Sequence, residues 1–338
     1  MQNQRERKFM KELSPKDDRD YSLDKVLTMV SANSNIKAST PKPANFKLPY
    51  FGKIKDQGNI GSCVAHSLAY ERETIQFYEY LMEKYEYCSF PQLLQDLAIG
   101  KLIPTEEDLT HYIEFSVGFV YGNREELITE TRDGEGMYTR DAIKGLVNTG
   151  NVYLLDFPEN DKYINVRPLF LQRQSVLLSK ASPNKVTAYA LLETIDDVKT
   201  ALMNLGTITV VIPILDSFFK TGADGLIPMP DRANETLAGY HAMTIFGWRE
   251  DNTFDILNSW SNFWGELGWG HIPFNFFDST INQTYTEMWS ITDIPVPVVP
   301  PVIVVPPVVV PPIVVPIENK FIVILKKILK FIIGLFKK

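Results

Sequence analysis

Residues 55–71, KDQGNIGSCVAHSLAYE, constrain this chain more than any other stretch. Gly58 and Gly61 punctuate the first half, which indicates a loop. From Ser62 onward the pattern becomes helical, because apolar residues recur at spacings of three and four. Ser62 suits an N-cap position, so Cys63 is predicted to lie in the first turn of a helix.

A cysteine at a helix N-terminus meets unpaired backbone N–H groups and the positive end of the helix dipole. This setting favours the thiolate and lowers the pKa of the side chain. Gln57 lies six residues before Cys63, and a loop that folds back would aim its amide NH2 at an oxyanion beside the sulfur. For Cys63 alone, a buried cysteine that starts a core helix is an equally common interpretation.

Two predicted strands in the second half of the chain carry the partners that such a thiolate needs. HAMTIFGW begins with His241, and TFDILNSW ends with Asn258, Ser259 and Trp260. Adjacent antiparallel strands can bring these side chains together, so that a histidine base has an asparagine to orient its ring. Trp260 would shield that hydrogen bond from water. Taken singly, a strand histidine or a strand-end asparagine is usually structural.

His66 is the competing candidate for the base, but it lies three residues after Cys63 on the same helix. From there it is poorly placed to face both the sulfur and a substrate. His111 and His271 have no suggestive neighbours, and the four histidines and two cysteines offer no zinc-ligand spacing. The sequence therefore predicts neither a metal nor another cofactor.

Three segments resemble the motifs of papain-like cysteine peptidases, and the resemblance covers about residues 46–293. QGNIGSC matches Gln-Gly-x-x-Gly-Ser-Cys, GYHAMTIFGW matches the histidine strand, and NSWSNFWGELGW matches Asn-Ser-Trp-Gly-x-x-Trp-Gly-x-x-Gly-Tyr. Their order, Gln…Cys…His…Asn, is the order of that family, and together the motifs are very specific. The resemblance implies a two-lobed α+β fold, with a helical lobe followed by an antiparallel β lobe.

The resemblance also implies a cysteine endopeptidase that hydrolyses peptide bonds in polypeptide substrates. Cys63 would be the nucleophile, His241 the general base and acid, and Asn258 the residue that orients the histidine. Gln57 and the backbone N–H of Cys63 would form the oxyanion hole. Gly136 aligns loosely with the strand edge that binds the substrate backbone. A catalytically silent papain-like scaffold is the alternative, and the intact set of catalytic groups argues against it.

Several positions depart from the family's pattern. Ile60 replaces a cysteine and excludes its disulfide, Val64 replaces an aromatic residue, and Ser261 and Trp269 replace a glycine and a tyrosine. The segment between the cysteine and the histidine is also long. We assign the excess to residues 86–130 and to residues 158–185, and we expect the second of these to be an irregular insertion or surface loop. These features resemble the disulfide-poor branch of the family found in bacteria and large DNA viruses.

Charge and cysteine content exclude other classes of protein. The chain has 338 residues and a net charge of −7, although its last 22 residues carry six lysines and one glutamate, so the remainder is clearly acidic. An acidic body does not favour nucleic-acid binding. Two cysteines make no disulfide framework, and the charged N-terminus has no apolar signal-peptide core, so we expect an intracellular protein.

The chain divides into four predicted parts. Residues 1–45 are either a pro-like segment lying across the active-site cleft or a disordered tail, with one short helix near residues 21–30. Residues 46–293 form the peptidase domain. Residues 294–316 are almost all proline and β-branched residues, which favours a polyproline II linker of roughly 70 Å at about 3.1 Å per residue. Residues 317–338 form a cationic amphipathic helix.

In that C-terminal helix all six lysines fall within an arc of about 120°, and nearly every apolar residue lies on the remaining arc. This pattern is typical of a helix that lies in a membrane interface, so an anionic membrane surface is a predicted partner. The alternatives are a helix that packs on the protein's own body or a partner, and a membrane-active peptide released by cleavage.

Overall fold

The computed structural model describes residues 7–31, 41–124, 135–277 and 286–293, except residues 11, 16, 19 and 232. The helices are α1 Leu23–Ser31, α2 Cys63–Lys84, α3 Phe90–Ala98, α4 Glu106–Leu109, α5 Val117–Gly122, α6 Thr139–Asn148, α7 Tyr163–Ala181 and α8 Ile195–Asn204. The strands are β1 Phe46–Lys47, β2 Ala188–Leu191, β3 Ile208–Ile214, β4 Gly239–Trp248, β5 Thr253–Leu257, β6 Trp269–Pro273 and β7 Glu287–Thr292. Across these ranges no helix is long and apolar enough to cross a bilayer.

The strands form one antiparallel sheet in the order β2-β7-β3-β4-β5-β6, and β1 pairs with the end of β4. β3 is buried along its whole length, and its side chains alternate between two apolar cores. Val210 and Ile212 face one core, whereas Val211 faces the other, which contains Cys63. Helices come first and strands later, so the predicted α+β fold class is confirmed.

α2 runs through the centre of the molecule, and polar contacts fix its position on the sheet. The hydroxyl of Ser67 lies 2.9 Å from the hydroxyls of Thr209 and Thr244 on β3 and β4. One turn further on, the carboxyl of Glu71 accepts from the Thr209 hydroxyl at 2.8 Å and from the backbone N–H of Ile291 on β7 at 3.0 Å. These bonds hold the first turn of α2 against the beginning of β4.

The helix α7 corrects one prediction from the sequence. Residues 158–185 were expected to be an irregular insertion, and that expectation is wrong, because most of them form a regular helix. Val166, Phe170 and Leu177 recur at helical spacing and are buried, and the Phe170 ring packs 5.5 Å from that of Phe119 on α5. A proline inside a segment usually ends or kinks a helix, but α7 continues through Pro168, which lies on its exposed side.

The other predicted elements are present with small shifts. The strands predicted at His241 and Thr253 are β4 and β5, and the short N-terminal helix is α1. Thr194 caps α8, since its hydroxyl accepts from the backbone N–H of Asp197 at 3.0 Å. β2 and β7 were not predicted, and the linker and C-terminal helix expected after residue 293 lie outside the described residues.

Burial of Glu71 should make the stability of the fold depend on pH. Desolvation raises the pKa of this carboxyl to about 8. A carboxyl whose pKa is higher in the folded state stabilises the fold while it is protonated, and this contribution is lost as the pH rises towards the folded pKa. We therefore expect the free energy of unfolding to fall from about pH 5 to about pH 8.

Glu71→Gln should remove that part of the pH dependence, because a neutral amide can still accept from Ile291 and donate to Thr209. Urea unfolding curves recorded across this pH range measure the effect. Glu83→Gln, a change of an exposed carboxyl on the same helix, is the matched control. Equal pH slopes for the wild-type protein and Glu71→Gln would contradict this explanation.

Candidate active site

Cys63 is the first residue of α2, as predicted, and its thiol faces the backbone of Ala242 on β4. The residue is completely buried. Ser62 precedes it, but the predicted side-chain cap is absent. The Ser62 hydroxyl lies instead 3.2 Å from Nδ1 of His66.

The thiol environment differs from the one expected for a cysteine at a helix mouth. Burial raises the pKa of Cys63 to about 11, although backbone N–H groups at the helix start and at Met10 and Ala242 act in the opposite direction. The predicted lowering of this pKa is therefore wrong for the state described. Desolvation outweighs the helix dipole here, because no solvent reaches the sulfur.

His241 and Asn258 form the contact that their strands predicted. Nε2 of His241 lies 2.7 Å from Oδ1 of Asn258, and that oxygen also accepts the backbone N–H of Ser259 at 2.8 Å. Because Oδ1 of Asn258 is a hydrogen-bond acceptor, the proton of the neutral His241 ring lies on Nε2. Nδ1 is buried and has no hydrogen-bond partner among the described residues, so it is the nitrogen left to exchange a proton.

The His241 ring is neutral in this state. Burial lowers its pKa to about 3, while the hydrogen bond to Asn258 acts in the opposite direction. With the Cys63 thiol also protonated, the pair is un-ionised. The thiolate expected at the start of the helix is therefore not present in the described state.

An aromatic cluster covers the His241–Asn258 contact. Trp260 is 2% exposed, and its ring lies 4.9 Å from that of His241. Phe218 and Phe219 pack on the Trp260 ring at 5.4 and 6.3 Å. Trp260 therefore occupies the shielding position that the sequence predicted for it.

Gln57 is buried in the loop before α2, where hydrogen bonds from both its side chain and its backbone hold it. Its Oε1 accepts from the Ser259 hydroxyl at 2.6 Å, and its Nε2 donates to the Ile60 carbonyl at 2.8 Å. Its backbone N–H donates to the Ser259 carbonyl at 2.9 Å. The loop is thereby attached to the residue next to Asn258, which brings all four predicted catalytic groups into one region.

Gly136 also borders this region. Its φ is +88°, a conformation that side chains rarely adopt. A Cβ placed on it would stand 3.5 Å from the Cα of Met10 and 3.8 Å from the carbonyl of Phe9. Its predicted position on a backbone-binding edge agrees with this close approach of another chain segment.

That segment is the N-terminal part of the protein itself. Met10 pairs with Tyr240, the residue before His241, through hydrogen bonds of 2.9 and 2.8 Å in both directions. The ring of Phe9 lies 6.1 Å from that of His241 and 6.0 Å from that of Trp260. The segment therefore covers the thiol and the imidazole together.

Arg7 fixes the start of this segment to the loop of Gln57. Its Nη1 donates to the carboxylate of Asp56 at 3.1 Å and to the carbonyl of Gly58 at 3.0 Å. Arg7, Phe9 and Met10 were not among the functional residues predicted from the sequence. The one available signal was an adjacent pair of apolar residues in a strongly charged stretch.

The remaining histidines take structural positions. Nδ1 of His66 lies 3.0 Å from the carbonyl of Ser62 one turn earlier, and burial lowers the pKa of His66 to about 4. His111 stacks on Tyr80 at 4.4 Å, and His271 contacts the carboxylate of Asp255 at 2.7 Å. Within the described part of the chain, no cluster of three or more metal-binding side chains occurs.

Comparisons with known proteins agree on one family. The sequence model of the papain family of cysteine proteases matches residues 149–286, which include His241 and Asn258 but not Cys63. An uncharacterized peptidase C1-like protein of Acanthamoeba polyphaga mimivirus is 22% identical over 251 residues, which cover 72% of this chain and 71% of that protein.

Two solved structures show the same fold. Xylellain, a cysteine protease from Xylella fastidiosa, is 20% identical with a TM-score of 0.62 over 85% of this chain and 96% of that one. Digestive procathepsin L 3 from the larval midgut of Tenebrio molitor is 16% identical with a TM-score of 0.51, over 80% and 79% of the two chains. At these identities the structures establish the fold.

Sequence and fold together define a papain-like protein with a helical lobe and an antiparallel β lobe. The match of residues 149–286 to the papain family model and the papain-like fold confirm the resemblance found in the motifs. Its similarity to a bacterial and a viral protein fits the disulfide-poor branch, and both cysteines are free.

The covering segment should make the two cysteines react at different rates. Cys88 is exposed, whereas Cys63 is buried and has a raised pKa. Because alkylation needs an accessible thiolate, iodoacetamide near neutral pH should modify Cys88 well before Cys63 in the full chain. Mass spectrometry of the digested protein at successive times measures both rates. Faster modification of Cys63 would contradict the described burial.

Proposed function

We propose that the protein is a cysteine peptidase that hydrolyses peptide bonds. Cys63 is the nucleophile, His241 is the general base and acid, and Asn258 orients the imidazole. The observation that carries this proposal is the 2.7 Å contact between Nε2 of His241 and Oδ1 of Asn258. The residue after His241 on β4, Ala242, faces the Cys63 thiol.

The proposed reaction begins when the cleft is open to solvent. Water and a substrate dipole then replace apolar surroundings, which lowers the pKa of Cys63 and raises that of His241, so that the proton passes from sulfur to Nδ1. The thiolate attacks the carbonyl carbon of the substrate, and the carbon–nitrogen bond breaks as His241 returns the proton to the leaving amine. Water, deprotonated by the same ring, then hydrolyses the thioester.

Gln57 and the backbone N–H of Cys63 are the proposed donors to the oxyanion. The bonds of Gln57 to Ser259 and Ile60 support this role, because they hold the amide in place before a substrate arrives. The second N–H of the Gln57 amide is the one available to the oxyanion. Gly136 is proposed to bind the substrate backbone where Met10 now lies.

We further propose that the N-terminal segment is inhibitory. Met10 and Phe9 lie against the Cys63 thiol and the His241 ring, where a substrate would have to enter, and both groups are buried and un-ionised in this state. Activity then requires the segment to leave, by displacement or by cleavage. This proposal favours the pro-like alternative for residues 1–45 over a disordered tail.

A membrane surface as partner, an intracellular location and the amphipathic character of residues 317–338 stay predictions from the sequence. The lysine arc of that segment is their support. The tethered peptidase would meet its polypeptide substrates at an anionic surface, with residues 294–316 as the spacer.

Removal of the nucleophile tests the proposed activity directly. Cys63→Ala should lower kcat/KM on a fluorogenic peptide by roughly 10⁵–10⁶-fold, and Asn258→Ala should lower it by about 10²–10⁴-fold. Cys88→Ala, a change at the exposed cysteine, should leave kcat/KM unchanged. Full activity of Cys63→Ala would rule the proposal out.

A silent scaffold is the second candidate, and the buried, un-ionised Cys63 is the observation that favours it. The two candidate functions predict different reactivities of the Cys63 thiol once the N-terminal segment is displaced. In a peptidase, the Cys63 thiol then reacts with an epoxide inhibitor faster than a free thiol does. In a scaffold, it reacts no faster.

Weakening the segment should increase activity. Phe9→Ala removes the ring that packs on His241 and Trp260, which should weaken docking by about 1–3 kcal/mol and raise the initial rate of peptide cleavage roughly tenfold or more. Lys8→Ala, at the exposed neighbouring residue, should have little effect. Initial rates for freshly purified full chains measure this difference, and equal rates for the two variants would exclude an inhibitory role for Phe9.

A further inference from the structure

One side chain joins the loop before the nucleophile to the segment that holds Gly136. Gly61 lies two residues before Cys63, and its backbone N–H donates to Oε2 of Glu135 at 2.7 Å. Glu135 is the residue directly before Gly136. The carboxylate therefore connects the segment that carries the thiol to the segment proposed to bind the substrate backbone.

The helix α5 supports this carboxylate from the core. The hydroxyl of Tyr121 donates to the same Oε2 at 2.8 Å, and the backbone N–H of Gly136 donates to the Tyr121 oxygen at 3.3 Å. Burial raises the pKa of Tyr121, so its hydroxyl keeps the proton that it donates to Glu135. The ring of Tyr121 is buried and packs 5.8 Å from that of Tyr163 on α7. Glu135 is thus attached to the packed core of α5 and α7.

No side chain fits between the two segments at Gly61. A Cβ on Gly61 would lie 2.6 Å from the backbone nitrogen of Gly136 and 3.0 Å from Cβ of Glu135. Non-bonded carbon atoms prefer separations of about 3.5–4.0 Å, so only glycine allows this approach without a shift of one segment. Direct backbone contact and the hydrogen bond to Glu135 together set the position of Gly61 relative to Gly136.

This spacing matters because a bound peptide must reach both segments. A peptide whose backbone is held at Gly136 has to present its scissile carbonyl to the Cys63 sulfur, and a misplacement of about 1 Å can cost roughly 100-fold in rate. The bonds of Gln57 fix one end of the loop before α2, and the bond between Gly61 and Glu135 fixes the other end. Loss of this carboxylate would remove the second attachment, two residues from the nucleophile.

We propose that Glu135 is a positioning residue that sets the spacing between Gly136 and the Cys63 thiol for substrates long enough to reach Gly136. Glu135 acts through the backbones of Gly61 and Gly136 and not on the reacting atoms. This inference rests on the peptidase activity proposed above. Short substrates, which contact Cys63 but end before Gly136, are turned over independently of Glu135.

Two fluorogenic substrates separate this role from a general structural one. In full chains carrying Phe9→Ala to open the cleft, kcat/KM is measured for an acylated single-residue amide and for the same amide extended by three residues at its amino end. Glu135→Ala should lower the ratio of the long to the short value at least about tenfold. The short value should stay largely unchanged, which also reports correct folding.

Conservative variants at the same position separate the reach of the side chain from its charge. Glu135→Gln keeps an acceptor oxygen at the same reach, so it should preserve most of the ratio. Glu135→Asp keeps the charge but withdraws the carboxylate by about 1.5 Å, so it should lower the ratio as Glu135→Ala does. Glu83→Ala, a change of an exposed carboxyl near the end of α2, should leave both values unchanged.

An unchanged ratio in Glu135→Ala and Glu135→Asp, or an equal loss for both substrates, overturns the inference. If no variant cleaves either substrate, the proposed peptidase activity fails instead. Calorimetric binding of the long and short compounds to full chains carrying Cys63→Ala and Phe9→Ala then tests Glu135 by itself. Adding Glu135→Ala should weaken binding of the long compound alone, and equal affinities with and without this substitution overturn its role.

Discussion

The docking of α2 on the sheet is the interaction on which the site depends. Ser67 and Glu71 attach one face of the helix to β3, β4 and β7 through hydroxyl and carboxyl contacts in an otherwise apolar interface. Buried polar groups of this kind are costly unless they are paired, so they permit one register of the helix. That register puts Cys63 beside Ala242, and hence beside the strand that carries His241.

In the proposed catalytic pair, burial and the neighbouring polar groups act on the ionisation state in opposite directions. The helix mouth and Asn258 favour the ionised forms of Cys63 and His241, whereas desolvation favours the neutral forms and prevails in the described state. Met10 and Phe9 lie against the thiol and the imidazole. The proposed inhibition by this segment would therefore combine a blocked cleft with an un-ionised pair.

The proposed catalytic residues could be located from the sequence because their signals are local. Cys63 follows a glycine-bearing loop at the start of a helix, and His241 and Asn258 lie on two strands joined by a short turn, so neighbouring residues determine their positions. The fold class followed from the same order of helices and strands. The helix α7 was not predicted because it contains Pro168, and the sequence does not tell which side of that helix faces solvent.

Features that depend on distant contacts were not predictable. The bond between Ser14 and Glu287 joins residues 273 positions apart, and no local pattern connects them. The pKa of Cys63 was predicted in the wrong direction for a related reason. The helix dipole is a local property, whereas desolvation depends on which segment lies on the sulfur.

The ionisation state of the His241 ring tests the central claim most directly, and its nitrogen NMR signals report that state. In the full chain, with the segment in place, we predict a neutral ring that carries its proton on Nε2 throughout the range from about pH 5 to about pH 8. In a chain whose segment has been displaced, the ring should become charged within that range while Cys63 is intact. A ring that is already charged at neutral pH in the full chain, or that titrates identically in both states, would contradict the account.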